Sequence, residues 1–193
     1  TTLGNENLKL EKALTKEFGL KYLKNNFNLS MSLYQRDASD IIDYVKNNEA
    51  DPWQASNIRE IITNGFELSM GYKFYLGAFR PQSINIGYSN INDDLLETDF
   101  ALSRYALNSL KNQITATYMF QVRDFISSTI SFKNSKRLND EGYTLIDFRT
   151  SYIYDKFTIS VMLNNILDTE YSETNLVPMP GFNSIVGIKY SIN

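Results

Sequence analysis

Side chains able to do covalent chemistry are sparse in this sequence. Its 193 residues include no His and no Cys, which removes the usual general base, the commonest metal ligand and every thiolate. No Ser-His-Asp, Cys-His or thiolate–zinc site can be assembled from it. Paired carboxylates occur at Asp93-Asp94 and Asp140-Glu141, but neighbours on polar segments read as solvated acids rather than a catalytic pair. The stretch from Asn90 to Asp99 gathers Asn92, Asp93, Asp94, Glu97 and Asp99, oxygen donors of the kind calcium takes. It lacks the spaced acids and turn glycine of a calcium loop, so a solvated acidic loop without metal or other cofactor is expected. No glycine-rich phosphate cradle is present. No enzymatic activity is expected. What remains is recognition: Trp53, Arg59, Arg104 and Tyr105 sit in or beside long polar segments, where stacking and charge could grip a ligand.

A net charge of −3, with no block of Lys and Arg, argues against nucleic acid as a partner. No run approaches the roughly 18 apolar residues of a membrane helix. The aromatic content is high, with 13 Tyr and 12 Phe, and Pro and Gly are few. The chain opens on Thr-Thr with no charged-then-apolar leader, as expected of a mature protein or an excised fragment.

The dominant pattern has a period of two, the spacing that sends alternate side chains to opposite faces of a strand. From Thr63 to Phe74, the residues Phe66, Leu68, Met70, Tyr72 and Phe74 alternate with Gly65, Glu67, Ser69, Gly71 and Lys73. From Thr144 to Tyr154, Ile146, Phe148, Tyr152 and Tyr154 oppose Asp147, Arg149 and Ser151. From Phe157, Ile159, Val161 and Leu163 oppose Thr158, Ser160 and Asn164. Near the C-terminus, Val186, Ile188, Tyr190 and Ile192 oppose Asn183, Gly187, Lys189 and Ser191. Looser versions cover Leu14–Tyr22, Phe27–Arg36, Ile84–Asn90, Leu110–Phe120 and Phe125–Phe132. The spacing predicts about nine strands, each long enough for a tilted crossing of a ~25 Å apolar band.

Connections are expected to alternate. Short turns fall at Leu23–Asn26, Leu76–Arg80, Gln121–Asp124 and Asp155–Lys156, and long polar segments at Asp37–Asn57, Ile91–Arg104, Lys133–Gly142 and Asn165–Gly181. In an antiparallel meander all short turns lie at one end, the asymmetry of outer-membrane barrels. Aromatics cluster at that end: Tyr22 and Phe27, Phe74 and Tyr75 with Phe79, Phe120 and Phe125, Tyr154 and Phe157. That is what an interfacial girdle requires. Glu17, Glu67, Lys73, Asp147 and Arg149 then face a wet or plugged lumen, where charge is tolerated. Lys16, Asn64 and Asn112 interrupt the outward rows toward the long-loop end. Ser128 and Thr150 lie deeper and are expected to bond locally.

The C-terminal motifs carry a family resemblance. Tyr143-Thr-Leu-Ile-Asp-Phe-Arg-Thr-Ser-Tyr152 resembles the strand third from the end in TonB-dependent receptors. The segment Phe157 to Tyr171 is similar to that family's "v-x-N-L-F-D-x-x-Y" element, matched at Asn165, Ile166, Leu167, Asp168 and Tyr171. Pro178-Met-Pro-Gly-Phe182 resembles its "P-G-R" lead into a last strand at Val186–Ile192. Asn7 to Glu11 and Glu17 to Tyr22 resemble its "N-x-x-L-K-P-E…E-L-G-L-K-Y" strand. Phe182 replaces the usual Arg, and Ile192-Asn193 stands where an aromatic is usual.

The resemblance implies an all-β fold: a transmembrane antiparallel up-and-down β-barrel, of which residues 1–193 are the C-terminal portion. A full barrel of about 22 strands encloses a plug, so the chain is expected to be a fragment or one piece of a split receptor. The implied function is binding of a ferric siderophore, cobalamin or similar scarce nutrient at extracellular loops and import to the periplasm of a Gram-negative bacterium. Implied partners are outer-membrane lipid, the remaining barrel strands and plug, and an inner-membrane energy-coupling complex. A passive porin or structural barrel, and a soluble β-sandwich binding module, are the alternative readings of the residue pattern.

Overall fold

The computed structural model describes residues 2–77, 80–96, 102–103, 110–137, 141–173 and 177–192, with only the backbone at residues 58–59, 95–96 and 102–103. Eleven strands follow in order: β1 Thr2–Leu3, β2 Lys12–Lys24, β3 Phe27–Lys46, β4 Trp53–Leu76, β5 Arg80–Leu96, β6 Leu102–Ser103, β7 Leu110–Arg123, β8 Ile126–Arg137, β9 Tyr143–Tyr154, β10 Phe157–Asn164 and β11 Asn183–Tyr190. Nine form one antiparallel meander, β2-β3-β4-β5-β7-β8-β9-β10-β11. This matches the strand number expected from periodicity. Among the described residues the sheet is open, with β2 and β11 at its edges.

The register keeps the two faces separate across all nine strands. Leu20 pairs with Met31, Met31 with Leu68 and Leu68 with Tyr88, while one residue along Lys21, Ser30, Ser69, Gly87 and Thr115 pair in the same way. On the far side Ile130, Phe148 and Leu163 share the apolar face. A concavity of about 690 Å³ is lined by Glu17, Gly19, Ser30, Ser69, Gly87 and Thr115 among others. The polar, small-residue face is therefore the inner one. Ser128 and Thr150, which break the apolar outer face, bond to each other at 2.9 Å.

Each short turn that is described around a left-handed residue uses a type that tolerates it: Asn25 (φ 50°), Gly77 (φ 55°) and Asp155 (φ 51°). One inner glycine answers a packing need instead. Gly65 pairs with Tyr34, and a Cβ there would lie 2.0 Å from Tyr34 Cζ, so the ring occupies the space that a side chain at 65 would take.

The long polar segments are shorter than the sequence suggests. β3 and β4 stay paired through the expected Asp37–Asn57 segment, from Ser39–Glu60 to Val45–Gln54, and only residues 47–52 lie between them. β5 continues to Leu96 and β8 to Arg137, so Ile91–Arg104 and Lys133–Gly142 are also largely strand among the described residues. Beyond an apolar band neither face needs greasy residues, so the hydrophobic period fades while backbone pairing persists. The β3–β4 extension is clasped on both edges: β1 pairs in parallel with β4, and β6 pairs with β3. Of the four segments, only the described residues of Asn165–Gly181 stay outside regular strands, apart from a bridge between Ser172 and Pro178.

Candidate ligand-facing wall and rim

The residues proposed for the lumen share one face. Glu17 is paired with Tyr34, Glu67 with Ser32, Lys73 with Ser83, Asp147 with Ser131 and Arg149 with Thr129, all on the inner side. Glu17 accepts a 2.7 Å hydrogen bond from Ser32 Oγ. Asp147 has a structural task, accepting the backbone N–H of Asn165 at 2.8 Å.

The four loop candidates do not come together as a described site. Trp53 is the first residue of β4, beside Thr2 of β1, and Lys46 Nζ lies 4.8 Å from its ring centre. It belongs to a clasped strand end rather than a free loop. The side chain of Arg59, and Arg104 and Tyr105 entirely, lie outside the described residues. The calcium candidates separate too. Asn92, Asp93 and Asp94 are consecutive in a strand, so Asp93 points opposite to its two neighbours. Thr63 Oγ1 donates to Asp93 at 2.6 Å, while Asn92 Nδ2 donates to Asp94 at 3.4 Å. Glu97, Asp99 and Asp140 lie outside the described residues.

Aromatic rings gather where the short turns are. Tyr22 and Phe27 have centroids 6.2 Å apart, and Phe125 meets Tyr152 edge-on at 5.5 Å. Tyr72 stacks on Phe74 at 5.7 Å and Tyr118 on Phe120 at 5.0 Å. Tyr152 stacks on Tyr154 at 6.5 Å, and Phe157 approaches Tyr190 at 4.8 Å. Tyr72, Tyr118, Tyr152 and Tyr190 thus extend the set read from the turns. Tyr72, Tyr118 and Tyr152 stand one pleat further from each turn, a position the period-two rows already held, and Tyr190 pairs with Phe157 at the level of the turn. Tyr75 differs from its neighbour Phe74: it pairs with Pro81 on the opposite face. Phe79 lies outside the described residues.

At the other end, the segment after β10 is fastened from within. Asn165 is 3% exposed and left-handed (φ 49°). Its Nδ2 donates to Thr169 O and Pro180 O, and its Oδ1 accepts from Thr169 N. Asp168, also left-handed (φ 50°), accepts from Phe182 N at 2.7 Å. A Cβ at Gly181 would lie 2.5 Å from that same Asp168 oxygen. The motif residues Asn165, Asp168 and Gly181 therefore form a clasp that brings both ends of the segment together.

The clasp delivers Tyr171 and Glu173 over the inner face. Tyr171 packs on Tyr143 at 4.7 Å, and Glu173 accepts from Tyr143 Oη at 3.2 Å and pairs with Lys133. The Lys133 hydrogen bond holds the Glu173 carboxyl below the usual carboxylate range, and burial pushes the Tyr171 phenol up. A cleft of about 620 Å³ opens beside them, lined by Tyr143, Tyr171, Pro178 and Met179 among others. Sequence reading did not single out Lys133 or Glu173. Lys133 could have been found as the continuation of the inward row Thr129–Ser131, but nothing local marks Glu173, whose position depends on the clasp.

The chain matches the family model "TonB dependent receptor-like, beta-barrel" over residues 1–166. A vitamin B12 transporter, BtuB, from Vibrio vulnificus (strain YJ016) is 22% identical over 175 residues, covering 87% of this chain and 27% of that protein. The siderophore receptor PirA from Acinetobacter baumannii superposes with a TM-score of 0.72 at 18% identity, covering 98% of this chain and 33% of its own. The copper transporter OprC gives a TM-score of 0.71 at 16% identity, covering 98% of this chain and 34% of its own. The chain thus spans about a third or less of the relatives it matches.

Proposed function

The chain belongs to the TonB-dependent receptor-like β-barrel family, and from that premise we propose that it is part of the wall of an outer-membrane receptor that imports a scarce nutrient. The observation that carries this reading is the outer face. Side chains such as Tyr72, Ile84, Ile114, Ile130, Ile159 and Ile188 stand exposed in contiguous rows. In water such a surface would be far larger than a soluble monomer tolerates. Against acyl chains it is the stable arrangement, with the backbone of every strand between β2 and β11 satisfied by its two neighbours.

The two open edges call for further strands. β2 and β11 run in the same direction, so antiparallel closure takes an odd number of additional strands. We assign these, and a plug against the polar inner face, to the rest of the same receptor, with residues 1–193 as the C-terminal part of its barrel. Relatives are named for cobalamin, siderophore and copper transport, and the cargo proposed here is of that group. The chain contributes binding and a guide wall, with no covalent chemistry. The Tyr143–Tyr171 cleft is the proposed contact, with Trp53, Arg59, Arg104 and Tyr105 proposed individually as further ligand-binding candidates. Movement is driven from the inner membrane through the plug.

The test is uptake by cells carrying the whole receptor. Energy-dependent accumulation of a ferric chelate, cobalamin or copper, lost on deleting the gene, is the expected result. Diffusive, energy-independent flux of small solutes through the purified protein would make it a passive porin instead.

A further inference from the structure

We infer that Lys133 and Tyr143 form an anion-recognition point for the cleft beside them, and that Glu173 occupies it as a built-in competitor of a ligand carboxylate. This rests on the receptor reading above and deepens it by naming the chemistry that the cleft selects. Two donors converge on one oxygen: Lys133 Nζ and Tyr143 Oη both donate to Glu173 Oε1. The donors and the acceptor are held in different ways. Lys133 stands on β8 opposite Leu145, and Tyr143 on β9 opposite Ser135, so paired backbone fixes both. Tyr143 is 8% exposed, and the Lys133 ammonium lies 5.6 Å from its ring centre. Glu173 arrives instead from the connection between β10 and β11, 40 residues from Lys133 in sequence.

The wall therefore presents two donors at fixed positions, whichever anion fills them. The Lys133 and Glu173 side chains are 31% and 37% exposed, so a dissolved ligand reaches the pair, and an exposed pair is weak enough to exchange. Arg137, further along β8, adds to the positive field at the Glu173 carboxyl. The neighbouring cleft supplies the rest of the selection. Tyr171 packs on Tyr143 with centroids 4.7 Å apart, and Pro178 and Met179 line the cleft with them, a surface suited to a ring or an alkyl body. Met179 N donates to Tyr171 O at 2.9 Å, which keeps these two lining residues together. Glu170 also lines the cleft and opposes a second negative charge. The class selected is then a monoanion, one carboxylate carried on an aromatic or apolar body. Its carboxylate takes the Lys133 and Tyr143 donors, and that of Glu173 turns to water.

The experiment uses the full-length receptor in lipid nanodiscs and two probes, para-fluorophenylacetate and its neutral amide, read by fluorine NMR line broadening against empty discs. Wild type is expected to bind the acid weakly and to prefer it to the amide. Glu173→Gln and Glu173→Ala should each bind the acid about fivefold more tightly, the worth of the exposed pair that the ligand no longer displaces. Both should bind the amide as wild type does. Lys133→Gln should lose the preference for acid over amide. A Glu173 that only braces its connection would change acid and amide binding together. Acid binding that neither Glu173 variant strengthens, an equal gain for acid and amide, or an acid preference that survives Lys133→Gln would overturn the inference. The receptor reading fails separately, if cells carrying the wild-type receptor show no energy-dependent uptake.

Discussion

The two ends of this wall are built by different physics. At the short-turn end the strands pack almost nothing against themselves: their outer rows stand open, and rings such as Phe157 and Tyr190 meet only their neighbours along the sheet. At the long-connection end lie the buried apolar residues of the described chain, Ala38, Val45, Ala55, Tyr143 and Leu145. There the β3–β4 extension is wrapped by β1 and β6, and the Asn165 clasp folds a connection inward. One end is completed by its surroundings and the other by its own chain. A barrel wall therefore needs a core only where it leaves the hydrocarbon.

Substitutions that exchange the rules of the two regions should expose the difference most strongly. Leu68→Arg, on the outer face within the apolar rows, is expected to cost about 2–4 kcal/mol of unfolding stability in a bilayer. Asn64→Arg, on the same face of the same strand but beyond those rows, should cost no more than about 1 kcal/mol. Denaturant titration in vesicles gives both values, and similar costs would erase the boundary between the regions. The next effect belongs to the clasp: Asn165→Ala strands several buried partners and should cost about 2–3 kcal/mol. It should also raise hydrogen exchange at Thr169 and Phe182, while exchange at Asn25 on the short-turn end stays as in wild type.

Gly77→Ala probes a turn rather than a clasp. Its φ of 55° disfavours a side chain, although nothing lies within 4 Å of an added Cβ, so the expected cost is about 1 kcal/mol. The smallest effect is that of Glu173→Gln, within about 1 kcal/mol because the pair with Lys133 is partly exposed. Its pH dependence has a definite sign. The folded carboxyl titrates below its ordinary range, so the tether is present at neutral pH and is lost as pH falls through that depressed value. The Glu173→Gln variant should lack that acid-side loss, as read by Tyr171 fluorescence or exchange at Met179.

The sequence discloses the regions in unequal measure. In the banded part, Phe66 through Phe74 and Ile146 through Tyr154 announce both strand and face, because hydrocarbon forces alternate residues to be apolar. Beyond it the same backbone pairing continues through Asp37, Asp93 and Lys133 with no such demand, and strand reads as loop. The motif around Asn165 is visible as a pattern, but its work as a left-handed, multiply bonded clasp is not. The Lys133–Tyr143–Glu173 contact was illegible for a simpler reason: it joins residues 40 apart through a segment whose path depends on that clasp. Trp53 was recognisable as an aromatic at the rim, but its place against β1 depends on a parallel pairing across 51 residues, which no local pattern reveals.

The most direct test of the account is a cysteine scan of β4, made simple because the chain contains no Cys. Single Cys residues from 65 to 74 are placed in the full receptor in a bilayer, and each is tested with a water-soluble maleimide and a chain-attached lipid quencher. The account predicts a period of two: quenching by lipid at 66, 68, 70, 72 and 74, and none at 65, 67, 69, 71 and 73. Absence of lipid quenching along the whole strand, with the even positions shielded as in a face-to-face sandwich, would contradict it.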